Sequence, residues 1–324
     1  MISLDDIRDP VKQEMKEFDK RFRSSISSDI PLLNMVTGYV LRRKGKQMRP
    51  LFVFLSSKMT GEITESTYTA ASLIELMHTA TLVHDDVVDE SNERRGVFSV
   101  NAIWKSKVAV LFGDYLLARG LLLAVRKKDY DLLEIISDAS REMSEGELLQ
   151  IQKSRSLNID IDTYYEVIRK KTATLIASCT ACGAKASGAS QSVVDKVYNL
   201  GIQIGMAFQI KDDLFDYQDH GVIGKPTGND IKEKKFTLPL IYALNQAEPG
   251  RRKSMIRQIK NGNRSQKVVN EVVRFVNDMG GIDFANRKMQ EFKLSALESL
   301  NDFPDSPARD AMKDLVEFTV SRKK

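Results

Sequence analysis

The 324-residue chain is poor in the residues that staple or interrupt a fold: it has two cysteines, three histidines, 18 glycines and 8 prolines. A lone cysteine pair excludes a disulfide framework in a chain this long. Cys179 and Cys182 are spaced C-x-x-C, but a zinc site needs two further ligands, and His78, His84 and His220 offer no zinc spacing. The surrounding LIASCTACGAKASGA reads as a helix of small residues in which the thiols pack, rather than as a redox motif after a strand. So few cysteines fit a reducing cytoplasm. Alternating strand patterns are lacking, which disfavours α/β and sandwich folds. No stretch approaches the ~20 apolar residues needed to cross a bilayer. The opening MISLDDIRDP is neither a secretory signal nor a transit peptide, and any membrane contact is expected to be peripheral. Internal repeats and low-complexity linkers are also missing.

What remains is helix-forming sequence. Hydrophobic residues make up 42% and charged residues 29%, enough for a large core under a soluble surface. The net charge of +5 gives no nucleic-acid signal; it fits phosphorylated ligands or ordinary surface variation. Apolar residues recur at helical spacing over 71–90, 101–125, 132–152, 164–188 and 193–218. Several of these stretches are apolar on more than one face, as in the centre of a bundle. The segment 218–239, rich in Gly, Lys and Asp, reads as the longest loop and as a lid over a charged ligand. The expectation is one all-α domain over 1–324, with a motif-bearing core at about 40–245 and peripheral helices at about 247–324. The tail Arg322-Lys323-Lys324 reads as a frayed basic end.

Two segments share an unusual form. Asp85-Asp86-Val87-Val88-Asp89 and Asp212-Asp213-Leu214-Phe215-Asp216 each read D-D-x-x-D inside an apolar helix. At about 3.6 residues per turn, Asp85 and Asp89 share a face, as do Asp212 and Asp216. Like charges at that spacing destabilise a helix, and apolar surroundings raise the cost. A hard divalent cation resolves the conflict; magnesium binds one or two carboxylates together with phosphate oxygens. Acidic helix ends in solvent are the plainer alternative for either motif alone, and the duplication argues against it. Cations that could meet a diphosphate accompany both motifs. Arg94 and Arg95 follow the first, and Lys225 and Lys235 follow the second. Lys171 lies beside Thr172 in an apolar helix, Lys46 and Arg49 lie in GKQMRP, and His78 sits two turns before Asp85.

These blocks resemble, in order, those of the trans-isoprenyl diphosphate synthases, or polyprenyl synthetases. The resemblance runs through GKQMRP (45–50), ELMHTATLVHDDVVDESNERRG (75–96), GDYLLA (113–118), KTATL (171–175), FQIKDDLFD (208–216) and GKPTGNDIKEKKFTLP (224–239). It implies a large helical bundle around a central substrate cavity, usually dimeric, with about three magnesium ions per active site. It also implies direct magnesium ligation by Asp85, Asp89 and Asp212, supported by Asp86, Asp213 and Asp216. Arg94, Lys171, Lys225 and Lys235 would hold an allylic diphosphate, and Lys46, Arg49, His78 and Arg95 isopentenyl diphosphate. Thr172 and Gln209 would face the developing carbocation. Lys234 stands where the family usually has glycine, which leaves open whether Lys234 or Lys235 reaches the phosphate.

Ionisation, condensation and elimination are the reaction implied. Its product length is read from the helix before the first motif. One turn back from Asp85 per step gives Thr81, Met77 and Ile74, with Ala80 beside Thr81. In the family a bulky aromatic four or five residues before the motif stops growth; here those positions are small. The tunnel is therefore expected to pass Thr81 and narrow at Met77, at Ile74 or at a facing helix, giving an octaprenyl-like product. Competing readings are a short-chain farnesyl or geranylgeranyl diphosphate synthase, a terpene cyclase, and a non-catalytic subunit of a heteromeric synthase. The last should have lost carboxylates or cations, and both sets are intact.

Overall fold

The computed structural model describes residues 3–42, 45–94, 96–156, 160–217, 231, 235–261 and 266–322. Among these, helix dominates, and the sheet content is one hairpin of two residues per strand, β1 (Glu93–Arg94) and β2 (Val97–Phe98). The all-α expectation is borne out. The chain divides into two compact units. The first holds Met1–Ser140, Ser178–Tyr198 and Phe303–Asp314; the second holds Arg141–Ala177, Asn199–Asp302 and Leu315–Lys324.

The first unit holds α1 (Leu4–Arg8), α2 (Lys12–Ser25), α3 (Pro31–Leu41), α4 (Met48–Thr60), α5 (Glu65–Val88) and α6 (Val100–Lys127); α2 and α4 pack on α5, α3 packs on α6, and α5 and α6 pack on each other. Ser3 caps α1 in a capping box with Asp6, and Ser99 caps α6 by accepting from the Ala102 amide. Such caps satisfy amides that a helix start leaves open. α5 and α6 run antiparallel at close range. A Cβ added at Gly113 would meet the His84 ring at 2.2 Å, and one at Gly120 would meet Leu73 at 3.0 Å. Phe52, Phe54, Leu51, Ile74, Leu76, Phe112 and Leu116 are fully buried; side chains of this kind each stabilise by about 1.5–3 kcal/mol.

By length and composition, α6 alone among the described residues could cross a membrane. Counting uninterrupted apolar runs passed over it, because Asp114 and Arg119 break the run. Both are engaged within the unit: Asp114 lies 3.5 Å from His84 Nε2, and Arg119 Nε donates to the Ser25 carbonyl at 2.8 Å. One face of α6 stays exposed at Val110, Leu111, Leu121, Leu122 and Val125.

The second unit takes in parts of α7 (Tyr130–Ser156), α9 (Thr174–Ala186), α10 (Gln191–Phe215) and α15 (Pro307–Ser321). α8 (Ile161–Ile168), α11 (Leu238–Gln246), α12 (Pro249–Asn261), α13 (Gln266–Asp278) and α14 (Gly281–Ser299) lie wholly within it. α11 packs on α8, α12, α13 and α14. Ile210, Leu214, Leu240, Val272, Phe275 and Met289 belong to one buried cluster, so helices beyond residue 247 contribute to this core. Between α8 and α9, Arg169–Ala173 form a π-helical turn in which the Thr174 amide donates to the Arg169 carbonyl. Cys179 and Cys182 are fully buried in α9, and burial pushes the Cys179 thiol up to about 12. Both pack as the sequence suggested.

Candidate active site

Both acidic triads end long helices. Asp85 and Asp86 lie in the last turn of α5 and Asp89 is its C-cap. Asp212 and Asp213 lie in the last turn of α10, and Asp216 follows it, with its amide on the Asp213 carbonyl at 3.3 Å. The C-terminal end of a helix carries the negative pole of its dipole, so carboxylates there are disfavoured by about 0.3–1 kcal/mol each. Three at each end concentrate negative charge where the backbone is already negative, and a cation is the physical remedy.

Within each triad the carboxylates differ. Asp85 and Asp89 are exposed, whereas Asp86 is 3% exposed and accepts from Arg94 Nε at 2.8 Å. The β1–β2 hairpin thus brings Arg94 back onto the motif. In the second unit Asp212 is half-buried and ion-paired with Arg322. The Arg322 guanidinium lies 4.0 Å from the Phe208 ring centroid and 5.6 Å from that of Phe215. Burial lowers its pKa from the ordinary arginine value, against the pull of Asp212. Asp213 is buried and accepts from Tyr164 and Gln209; Asp216 is buried as well.

A cavity of about 220 Å³ in the second unit gathers six of the expected site residues: Lys171, Thr172, Gln209, Asp212, Asp213 and Lys235. The π turn presents Lys171 and Thr172. α7 approaches that turn so closely that a Cβ at Gly146 would meet Lys170 Cβ at 2.8 Å. Lys171 is ion-paired with Glu147 and lies 3.5 Å from Gln150 Oε1. Glu142 accepts from Arg169 and Thr174, and Glu145 from Lys170. Phe236 and Thr237 also line the cavity, and the Thr237 hydroxyl lies 2.6 Å from that of Tyr217.

The first unit holds the remaining described candidates. Lys46 is exposed, and its carbonyl accepts from Arg8 at 2.5 Å. Gln47 adopts the left-handed region, φ 48°, and donates to Asp19 at 2.8 Å, so helices α1 and α2 hold the basic loop from behind. Arg49 is half-buried and His78 is buried. Ile74, Met77 and Ala80 are buried and Thr81 is half-buried, its hydroxyl on the His78 carbonyl at 2.9 Å. Arg95, Lys225 and Lys234, and most of the 218–239 segment expected to form a lid, lie outside the described residues. Tyr164, Glu147, Gln150 and Phe208 were missed from sequence. Tyr164 sits eight residues before Thr172, an interval that in an unbroken helix points about 80° away from it, so regular helical spacing did not flag it.

Among the described residues no three or more of His, Cys, Asp and Glu converge as a ready-made metal cage. The donors available are carboxylate oxygens at helix ends, with Arg322 as the cation on one of them. That is the donor set a hard divalent ion takes when phosphate and water complete its shell. Fold and site together define an all-helical protein in which carboxylates and lysines share one cavity of the second unit.

The chain belongs to the polyprenyl synthetase family, whose pattern it matches over residues 30–276. It is 32% identical to the octaprenyl diphosphate synthase of Escherichia coli, over 99% of each chain. It is 36% identical to the all-trans-nonaprenyl-diphosphate synthase (geranyl-diphosphate specific) of Rhodobacter capsulatus, over 98% of this chain and 97% of that one. A polyprenyl synthase from Caulobacter crescentus, crystallised with calcium and isoprenyl diphosphate, superposes with a TM-score of 0.90 at 31% identity, over 99% of this chain and 98% of that one. The protein is therefore a prenyltransferase that makes trans-polyprenyl diphosphates.

Proposed function

We propose that the whole chain acts as one synthase domain in the cytoplasm, condensing isopentenyl diphosphate with an allylic diphosphate to an octaprenyl-like length. The observation that carries this is the seating of two acidic triads at the negative ends of α5 and α10, one of them opening on the cavity that holds Lys171, Thr172, Gln209 and Lys235. Asp85, Asp89 and Asp212 would ligate magnesium, about three ions per site, with Asp86, Asp213 and Asp216 in support. Bound magnesium supplies neutralisation of the negative charge that builds on the leaving diphosphate. Arg94, Lys171, Lys225 and Lys235 hold the allylic diphosphate, Lys171 exchanging Glu147 for phosphate. Lys46, Arg49, His78 and Arg95 hold isopentenyl diphosphate. Thr172 and Gln209 face the allylic carbons as the C–O bond breaks. The double bond of isopentenyl diphosphate then attacks, and the released diphosphate takes the proton. Apolar walls such as Val167, Ile168 and Phe236 keep water from the cation.

The small side chains of Ala80 and Thr81 support a long product, as do the octaprenyl and nonaprenyl synthase relatives. The exposed apolar face of α6, with Met35 on α3, supports a homodimer. Incubating the purified chain with magnesium, labelled isopentenyl diphosphate and farnesyl diphosphate should yield one long polyprenyl product, and a chelator should stop it. A C15 or C20 product would overturn the length, and no incorporation would favour the non-catalytic subunit.

A further inference from the structure

Four side chains form a hydrogen-bonded line along the wall of the cavity. Tyr164 is 4% exposed and its hydroxyl donates to Asp213 Oδ2 at 2.7 Å. The other oxygen of that carboxylate, Oδ1, accepts from Gln209 Nε2 at 2.9 Å. Gln209 Oε1 accepts from the Thr172 hydroxyl at 2.8 Å. All four residues line the cavity.

Chemistry forces the direction of every bond. A carboxylate only accepts, so Gln209 must turn its NH2 toward Asp213 and its carbonyl toward Thr172. Thr172 has one hydroxyl proton, gives it to Gln209, and keeps only lone pairs for the cavity. A hydroxyl with its proton toward a developing carbocation would oppose it, whereas fixed lone pairs stabilise it without reorganisation. Loss of the Tyr164 hydroxyl would leave Asp213 Oδ2 without that donor and let the carboxylate turn. Gln209 and Thr172 would then lose their enforced polarity.

We propose that Tyr164 is a positioning residue for condensation: through Asp213 and Gln209 it holds the Thr172 hydroxyl with its lone pairs toward the reacting carbons. This deepens the reading above and rests on its placement of Thr172 beside the developing cation. The role is distinct from that of a metal-site support, because its far end is a hydroxyl rather than a ligand.

The test is a double-mutant cycle in the full-length enzyme with isopentenyl diphosphate, farnesyl diphosphate and magnesium. Tyr164→Phe should lower kcat by about 10–100-fold, with KM for both diphosphates and the magnesium half-saturation little changed. Thr172→Val should also lower kcat, and adding Tyr164→Phe to it should cost nothing more. Effects that multiply would overturn the relay while leaving the placement of Thr172 intact. A raised magnesium requirement at unchanged kcat would overturn it in favour of metal support. Thr172→Val at the wild-type rate would remove the placement of Thr172 and the relay with it. Should Tyr164→Phe fail to fold, Tyr164→Met removes the same hydroxyl with a flexible side chain that can fill the space and must likewise be silent on the Thr172→Val background; a multiplied loss there overturns the proposal.

Discussion

Gly205→Ala adds one carbon and should disable the enzyme. Gly205 sits one turn before Gln209 in α10, against the π turn. Its added Cβ would lie 2.4 Å from Ala173 Cα and 2.7 Å from Ala173 Cβ. Non-bonded carbons settle about 3.5–4.0 Å apart, so the shortfall exceeds about 1 Å. The nearest obstruction is backbone, which cannot rotate away as a side-chain tip can. α10 and the turn must part by about that distance, stretching the 2.8 Å Thr172–Gln209 bond past about 3.5 Å, beyond hydrogen-bonding range. Overpacking of this kind costs about 1–3 kcal/mol. A displacement of about 1 Å at reacting groups costs on the order of 10²-fold in rate. Steady-state turnover at saturating substrate, read beside a urea unfolding curve, separates the two effects. Gly38→Ala is the control, since nothing lies within 4 Å of its added Cβ and alanine favours a helix by about 0.5–1 kcal/mol. Gly205→Ala with wild-type turnover and stability would refute the close approach and the weight placed on the Thr172–Gln209 pair.

Ala80→Phe should shorten the products resolved by reversed-phase chromatography; because Ala80 is fully buried, it should also cost about 1–3 kcal/mol of stability. An unchanged product length would remove the α5 wall from chain-length control. Arg322→Ala should lower the magnesium concentration needed for half-maximal turnover by several-fold, since it frees Asp212 from a competing cation; a raised requirement would show that Arg322 helps the loaded site. Leu111→Glu with Leu122→Glu should convert the proposed dimer to a monomer by light scattering, each placing a charge on the exposed face of α6; an unchanged mass would remove that face from the interface.

The acidic triads were legible because i, i+4 spacing survives any detail of packing. Their internal division was not. Asp86 is buried under Arg94 only because a short hairpin folds back, and Asp213 is buried because Tyr164 arrives from another helix. Helical periodicity found α10 and α5 without difficulty, but it could not show that both motifs sit at helix ends rather than inside. Arg322 read as a frayed tail, since sequence gave no reason to bring residue 322 to residue 212. Ala80 was read as a tunnel position from its place before the first motif and its small size, and neither of these showed that it would be completely buried.

The wide turn at Arg169–Ala173 acts as a one-residue slip in helical phase. In an unbroken α-helix, residues eight apart point about 80° away from each other. One surplus residue makes the interval count as seven, and the divergence falls to about 20°. Tyr164 and Thr172 are eight apart, and both line the cavity. Deleting a single residue from that turn would straighten the helix and rotate one end of the polar line out of reach of the other. A library of in-frame deletions should therefore find this short stretch far less tolerant than its ordinary composition suggests.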